Sequence, residues 1–200
     1  MNYTGIKNLT LSASGYFGNS GQGNEFIFND EQTSLDATIQ LGTAYAKYDW
    51  KNFRFVTVGT YGKLSDTEKI FAQTAFTQGE GQVLGNEVYG YLFEAGCNIL
   101  PYLRKEHSSK PKKTKLWNSE ELKLSLFARY ERLNTHHVLA PSLSLLPRVE
   151  KNLSVLTAGI NFNSRENIVL KANYRYAYNR FLGDPQQNKH IVEFGLGFIF

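Results

Sequence analysis

The C-terminal stretch Ile191-Val192-Glu193-Phe194-Gly195-Leu196-Gly197-Phe198-Ile199-Phe200 alternates with a period of two. Successive side chains of an extended strand point to opposite faces. Phe200, Phe198, Leu196, Phe194 and Val192 therefore share one face, and Ile199, Gly197, Gly195, Glu193 and Ile191 share the other. One face is aromatic and apolar; its opposite is small or charged. The segment before it repeats the pattern, with Ile168, Leu170, Ala172, Tyr174, Tyr176 and Tyr178 opposite Val169, Lys171, Asn173, Arg175 and Asn179. Further back, Leu122, Leu124, Leu126, Ala128 and Tyr130 stand opposite Lys123, Ser125, Phe127, Arg129 and Glu131. Weaker versions at 9–17, 39–50, 53–61, 88–97 and 154–162 bring the candidate strands to eight.

The connections carry a second signal. Only Lys51 and Asn52 separate the second and third strands, and only residues 163–167 the sixth and seventh, as tight turns require. Residues 18–36, 63–87, 132–153 and 179–189 are long, polar and rich in Gly, Asn or Pro. Long loops at one rim and short turns at the other are the pattern of outer-membrane barrels. Residues 100–120 break the scheme, being long where a short turn is expected.

Composition narrows the classes. The 200 residues include 14 Phe, 12 Tyr and 17 Gly but only 5 Pro, a skew that favours strands over helices. No run approaches the ~18 apolar residues of a membrane helix. Residues 1–10 contain no apolar core of a secretory signal. The single cysteine, Cys97, allows no intrachain disulfide, and in its apolar setting it reads as a packing residue. The net charge of +4 is local, because residues 104–115 carry six basic residues against Glu106 alone. That leaves 16 Lys and Arg against 17 Asp and Glu elsewhere, so bulk basicity is no argument for an acidic partner.

A soluble β-sandwich also has alternating strands, with its apolar face turned inward. Tyr and Phe at the ends of the apolar face, and Gly195, Gly197, Gly159 and Asn161 on the other, favour lipid on the aromatic side. The expected architecture is a single all-β domain over residues 1–200. It is an antiparallel up-and-down transmembrane β-barrel of about eight strands, either complete or half of a larger barrel.

Several segments resemble one family. They are Tyr89-Gly90-Tyr91-Leu92-Phe93-Glu94-Ala95-Gly96 leading to Asn98-Ile99-Leu100-Pro101, Phe127-Ala128-Arg129-Tyr130-Glu131-Arg132-Leu133-Asn134-Thr135, and Leu156-Thr157-Ala158-Gly159-Ile160-Asn161-Phe162. Ile168-Val169-Leu170-Lys171-Ala172-Asn173-Tyr174 and Glu193-Phe194-Gly195-Leu196-Gly197-Phe198-Ile199-Phe200 complete the set. Together they resemble the Gram-negative outer-membrane porins of the phosphate-selective type, over most of residues 40–200. The resemblance implies the C-terminal half of a subunit of about sixteen strands, assembled as a homotrimer. It also implies recognition of the terminal Phe200 by the barrel-insertion machinery, a bacterial outer-membrane location, and diffusion of small hydrophilic or anionic solutes such as phosphate. The family's constriction loop and main anion-binding cluster would lie in the other half.

If the aromatic face meets outer-membrane lipid, Tyr130, Phe162, Tyr174, Tyr176, Tyr178, Phe194, Phe198 and Phe200 are its lipid-facing aromatics. The opposite face then lines a pore with Lys47, Asp49, Arg54, Glu94, Lys123, Arg129, Glu131, Lys171, Asn173, Arg175 and Glu193. Six of these are basic and four acidic, a modest bias toward anions. Lys171 and Arg175 form the best candidate basic ladder, and Arg129 with Glu131 a candidate structural pair. The alternative is a closed eight-stranded barrel, plugged by its own ion pairs, that serves as an envelope anchor or adhesin through its long loops.

Other constellations are weaker. His136 and His137 fall in an expected loop beside Pro141 with no nucleophile or acidic orienter at interpretable spacing, so no enzyme is expected. No Cys and His spacing suits a metal, no cofactor motif occurs, and the basic run at 104–115 lacks interleaved aromatics for stacking nucleic-acid bases.

Overall fold

The computed structural model describes residues 2–28, 31–106, 122–148, 150–165, 168–180 and 188–198. Phe200, His107 and most of the basic run lie outside the described residues. The elements in chain order are β1 (Asn2–Tyr3), β2 (Leu9–Asn19), β3 (Asn24–Phe28), β4 (Glu31–Leu35), β5 (Thr38–Trp50) and β6 (Phe53–Leu64). There follow α1 (Thr67–Gln78), β7 (Glu87–Asn98), α2 (Leu100–Glu106), β8 (Lys123–Val138), β9 (Asn152–Arg165), β10 (Ile168–Asn179) and β11 (Asn188–Phe198).

The chain is all-β, and its eight long strands are the eight expected from alternation. They run β2-β5-β6-β7-β8-β9-β10-β11 in one continuous antiparallel sheet, with β1 on the β2 edge. Two expectations are corrected. The described strands number eleven rather than about eight. Among the described residues the sheet also does not close into a barrel, because β1 and β11 stand at its two edges. Neither correction disturbs the up-and-down order, in which each long strand pairs with its neighbours in the sequence.

The register fixes which side chains share a face. Phe162, Leu170 and Leu196 form one cross-strand row, and Ile160, Ala172 and Phe194 the next. Glu94, Arg129, Thr157 and Arg175 form a row on the opposite face. Burial is inverted relative to a soluble sheet. On the aromatic face Phe194 is 82% exposed, whereas Thr157 on the other face is 3% exposed. No second sheet layer covers the aromatic residues among the described residues, which removes the sandwich.

The extra elements arise inside the long connections. Residues 18–36 hold a β3–β4 hairpin in which Phe26 faces Thr33 and Phe28 faces Glu31. Residues 63–87 hold α1, twelve residues free of Gly and Pro that stop at Gly79, whose left-handed φ of 79° suits glycine. The helix lacks a clean apolar stripe, so the period of 3.6 is faint there. The connection expected at 132–153 starts later, because β8 continues to Val138. In residues 100–120, Asn98 Oδ1 accepts the backbone N–H of Leu100 and of Leu124, tying the start of α2 to β8.

The small buried core lies among the long connections rather than between sheet layers. Val83, Ala140 and Leu143 are buried there, with Phe71, Leu139 and Leu146 against them. Thr67 Oγ1 donates to Asn86 Oδ1 at 2.7 Å, Ser142 hydrogen-bonds Glu68, and His136 Nε2 lies 3.1 Å from the Val83 carbonyl. These contacts tie the connections after β6 and β8 into one cap at one end of the sheet.

Inside the sheet, backbones approach closely at Gly159. A Cβ there would meet Asn173 Cβ and Phe127 Cε1, each at 2.7 Å, with the Ala172 carbonyl at 2.8 Å. Gly159→Ala is expected to cost about 1–3 kcal/mol through overpacking. Gly195→Ala, whose added methyl meets nothing nearer than 3.8 Å, is expected to be near neutral. Thermal unfolding of the two variants side by side checks this; equal losses would mean that the close approach is not what selects glycine at 159.

Candidate functional site: the polar face

All eleven residues expected to line a pore lie on the face opposite the aromatic one, brought there by strand alternation and register. Lys189 joins them, opposite Ala177, and was not singled out from the sequence. The charges form short cross-strand clusters. Asp49 Oδ2 lies 3.2 Å from Lys47 Nζ, and Asp49 Oδ1 accepts from Arg54 Nε at 2.7 Å. Arg129 donates from Nε and Nη2 to the same Glu94 oxygen, at 2.8 and 2.5 Å. Asn173 Nδ2 donates to Glu193 Oε2 at 2.5 Å, and Arg175 Nη1 lies 3.6 Å from Glu193 Oε1.

The expected Arg129–Glu131 pair is replaced by Arg129–Glu94. Directly opposed residues have Cβ atoms about 5 Å apart, closer than the roughly 6.6 Å between residues two apart on one strand, although a long lysine stem bridges that step at Lys47–Asp49. Lys123, Glu131 and Lys171 make no ion pair among the described residues. The Lys171–Arg175 ladder thus carries one paired cation and one without an acidic partner in the described set. Thr157 Oγ1, Asn161 Oδ1 and Arg175 Nε are buried without a hydrogen-bond partner in the described structure.

Toward the end capped by the long connections, the same face turns apolar. A cavity of about 570 Å³ is lined by Val58, Leu92, Leu133, Leu153 and Val155, with Glu131 and Arg175 at its polar side. Reading charges alone from the sequence missed this apolar stretch. Alternation labels the face, not the row.

The aromatic face carries the expected lipid-facing residues Tyr130, Phe162, Tyr174, Tyr176, Tyr178, Phe194 and Phe198. Trp50, Phe53 and Phe55 extend it at the short-turn end, and Tyr61, Tyr89 and Tyr91 at the other. Across the eight long strands, the formally charged residues described on this face are Lys63, Glu87 and Arg132. All three lie toward the long connections, as does His190, whose ring nitrogen Nδ1 is 2.5 Å from Tyr174 Oη. Lys63 pairs with Glu87 at 3.0 Å, and Tyr61 hydrogen-bonds the same carboxylate. Arg132, read from the sequence as the start of a loop, instead sits in β8 opposite Tyr91 and Ser154.

His136 and His137 are also on β8 rather than in a loop. His136 Nδ1 lies 2.8 Å from Thr135 Oγ1, and the His137 ring meets Tyr89 edge-on at 4.9 Å. Comparison with known protein families, curated proteins and solved structures gave no match.

The Glu94–Arg129 pair is half-buried, so each partner stabilises the other's charge. Glu94→Gln and Arg129→Gln are each expected to cost about 1–2 kcal/mol, and the double variant clearly less than their sum. Denaturant titration of all four proteins tests this. Strict additivity would mean that the pair contributes no coupling.

Proposed function

We propose that this chain forms the wall of an outer-membrane β-barrel and passes small hydrophilic or anionic solutes along its polar face. The observation that carries the reading is the aromatic face: among the described residues it is largely exposed, uncovered by a second layer, and free of formal charge except toward one end. In water such a face would drive association. Against lipid it is the favourable arrangement, because the ladder satisfies the backbone groups and alternate side chains meet hydrocarbon.

Dimensions support the same reading. From Ile168 to Tyr178 the strand advances about 33 Å at ~3.3 Å per residue, or about 25 Å of height at a tilt near 40°, the thickness of an outer-membrane apolar band. Aromatics gather toward both ends of this band, as at lipid–water interfaces. The long connections then face the exterior and the short turns the periplasm. Joining the β1–β2 and β11 edges, to each other or to further strands, would turn the polar face into a lumen. The resemblance to phosphate-selective porins adds the anionic preference, and a homotrimer belongs with that reading.

A second reading, an envelope anchor or adhesin, draws support from the packed cap of the long connections. Phe76 and Leu145 there are 90% and 96% exposed, an apolar surface suited to contact.

The membrane reading predicts that Ala172→Arg, in mid-strand on the aromatic face, costs about 2–4 kcal/mol of stability in bilayers. A soluble sheet would lose less at this half-buried position, so an unaltered stability and a lipid-free monomer would overturn it. Planar-bilayer recordings separate pore from anchor. Discrete conductance steps are expected, with Lys171→Glu plus Arg175→Glu moving the reversal potential toward cations. A folded, inserted and silent protein would favour the anchor, and an unchanged reversal potential would remove those two residues from the pore wall.

A further inference from the structure

Arg132 is the one formal cation described on the aromatic face without a carboxylate beside it in the described set. Its Nη1 donates to Ser154 Oγ at 2.8 Å, and its Nη2 donates to Asn152 Oδ1. Both acceptors belong to the adjacent strand and both are neutral, so the guanidinium is oriented without losing its charge. Two of its five N–H donors are used, which leaves three in a planar fork. Tyr91 stands directly across from it, and the Tyr91 and Tyr130 rings lie 6.2 Å apart on the same face. Other polar groups of this face have partners, Lys63 in Glu87 and the His190 ring in Tyr174.

An arginine that merely tolerated its position would extend its flexible stem toward water. This one is held against the sheet by β9, at the level where aromatic side chains mark a membrane interface. A guanidinium fork matches phosphate geometry bidentately, and basic groups at that depth recognise anionic headgroups. We propose that Arg132, oriented by Ser154 and Asn152 and flanked by Tyr91 and Tyr130, binds the phosphate of an anionic membrane lipid at the rim nearest the long connections. The proposal rests on the membrane reading above and adds a defined lipid contact that the solute path does not require.

The test is native mass spectrometry of the protein released from bilayers of mixed phosphatidylcholine and phosphatidylglycerol, with bilayer conductance recorded on the same preparation. Wild-type protein is expected to retain phosphatidylglycerol about tenfold over phosphatidylcholine. Arg132→Gln should bring that ratio close to parity, Arg132→Lys should keep part of it, and Asn152→Ala, which frees the guanidinium without removing it, should lower it about threefold. Millimolar inorganic phosphate should leave the ratio unchanged. Full competition by inorganic phosphate would overturn the proposal in favour of a free-anion site. An unchanged preference in Arg132→Gln, or no preference in an inserted wild-type protein, would overturn it while leaving the membrane reading intact. A wild-type protein that fails to insert would overturn both.

Discussion

The backbone ladder that holds eight long strands in antiparallel register, shifted only at Ile168/Val169 and Glu87/Tyr89 among the described residues, is the constraint on which everything else depends. It satisfies the main-chain donors and acceptors within the sheet, which frees each face to be defined by side chains alone. Because the side-chain period is two, the same ladder sends most aromatic positions to one side, with Tyr16, Tyr45 and Phe127 on the other, where the eleven candidate polar residues lie. A slip of one residue between β9 and β10 would carry Lys171 and Arg175 into the aromatic face and Tyr174 out of it. The cost of that exchange locks the register.

The two faces solve different electrostatic problems. On the polar face, opposite charges meet across neighbouring strands, so Glu94, Asp49 and Glu193 each hold an arginine. Pairs this open to solvent contribute modestly to stability. Their larger consequence is a patterned field along the wall, with Lys123 and Lys171 left outside those clusters. On the aromatic face charge is excluded by position. Lys63, Glu87 and Arg132 gather toward the long connections.

The cap and the sheet obey different rules within one chain. The sheet has almost no conventional core, whereas Val83, Ala140 and Leu143 bury themselves among the connections and are tied to α1 through Phe71. This explains why the long connections read as plain loops in the sequence. Their apolar residues are sparse and follow no sustained period, and Val83, Ala140 and Leu143 are buried where two separate connections meet. The β3–β4 hairpin was missed for the same reason: five-residue strands show too few alternations to stand above the surrounding Gly and Asn.

By itself, the sequence determined the secondary-structure class, the order of the long strands and the face on which each of their residues lies. These follow from local alternation and from connection length. Tertiary structure alone decided which residue stands beside which: Arg129 beside Glu94 instead of Glu131, Arg132 on the aromatic face beside Tyr91, and Phe127 over Gly159. It also decided that the two edge strands are not paired with each other among the described residues. Cross-strand neighbours depend on register, and register is the summed outcome of pairing whole strands that lie far apart in sequence, a quantity that no short window of residues contains.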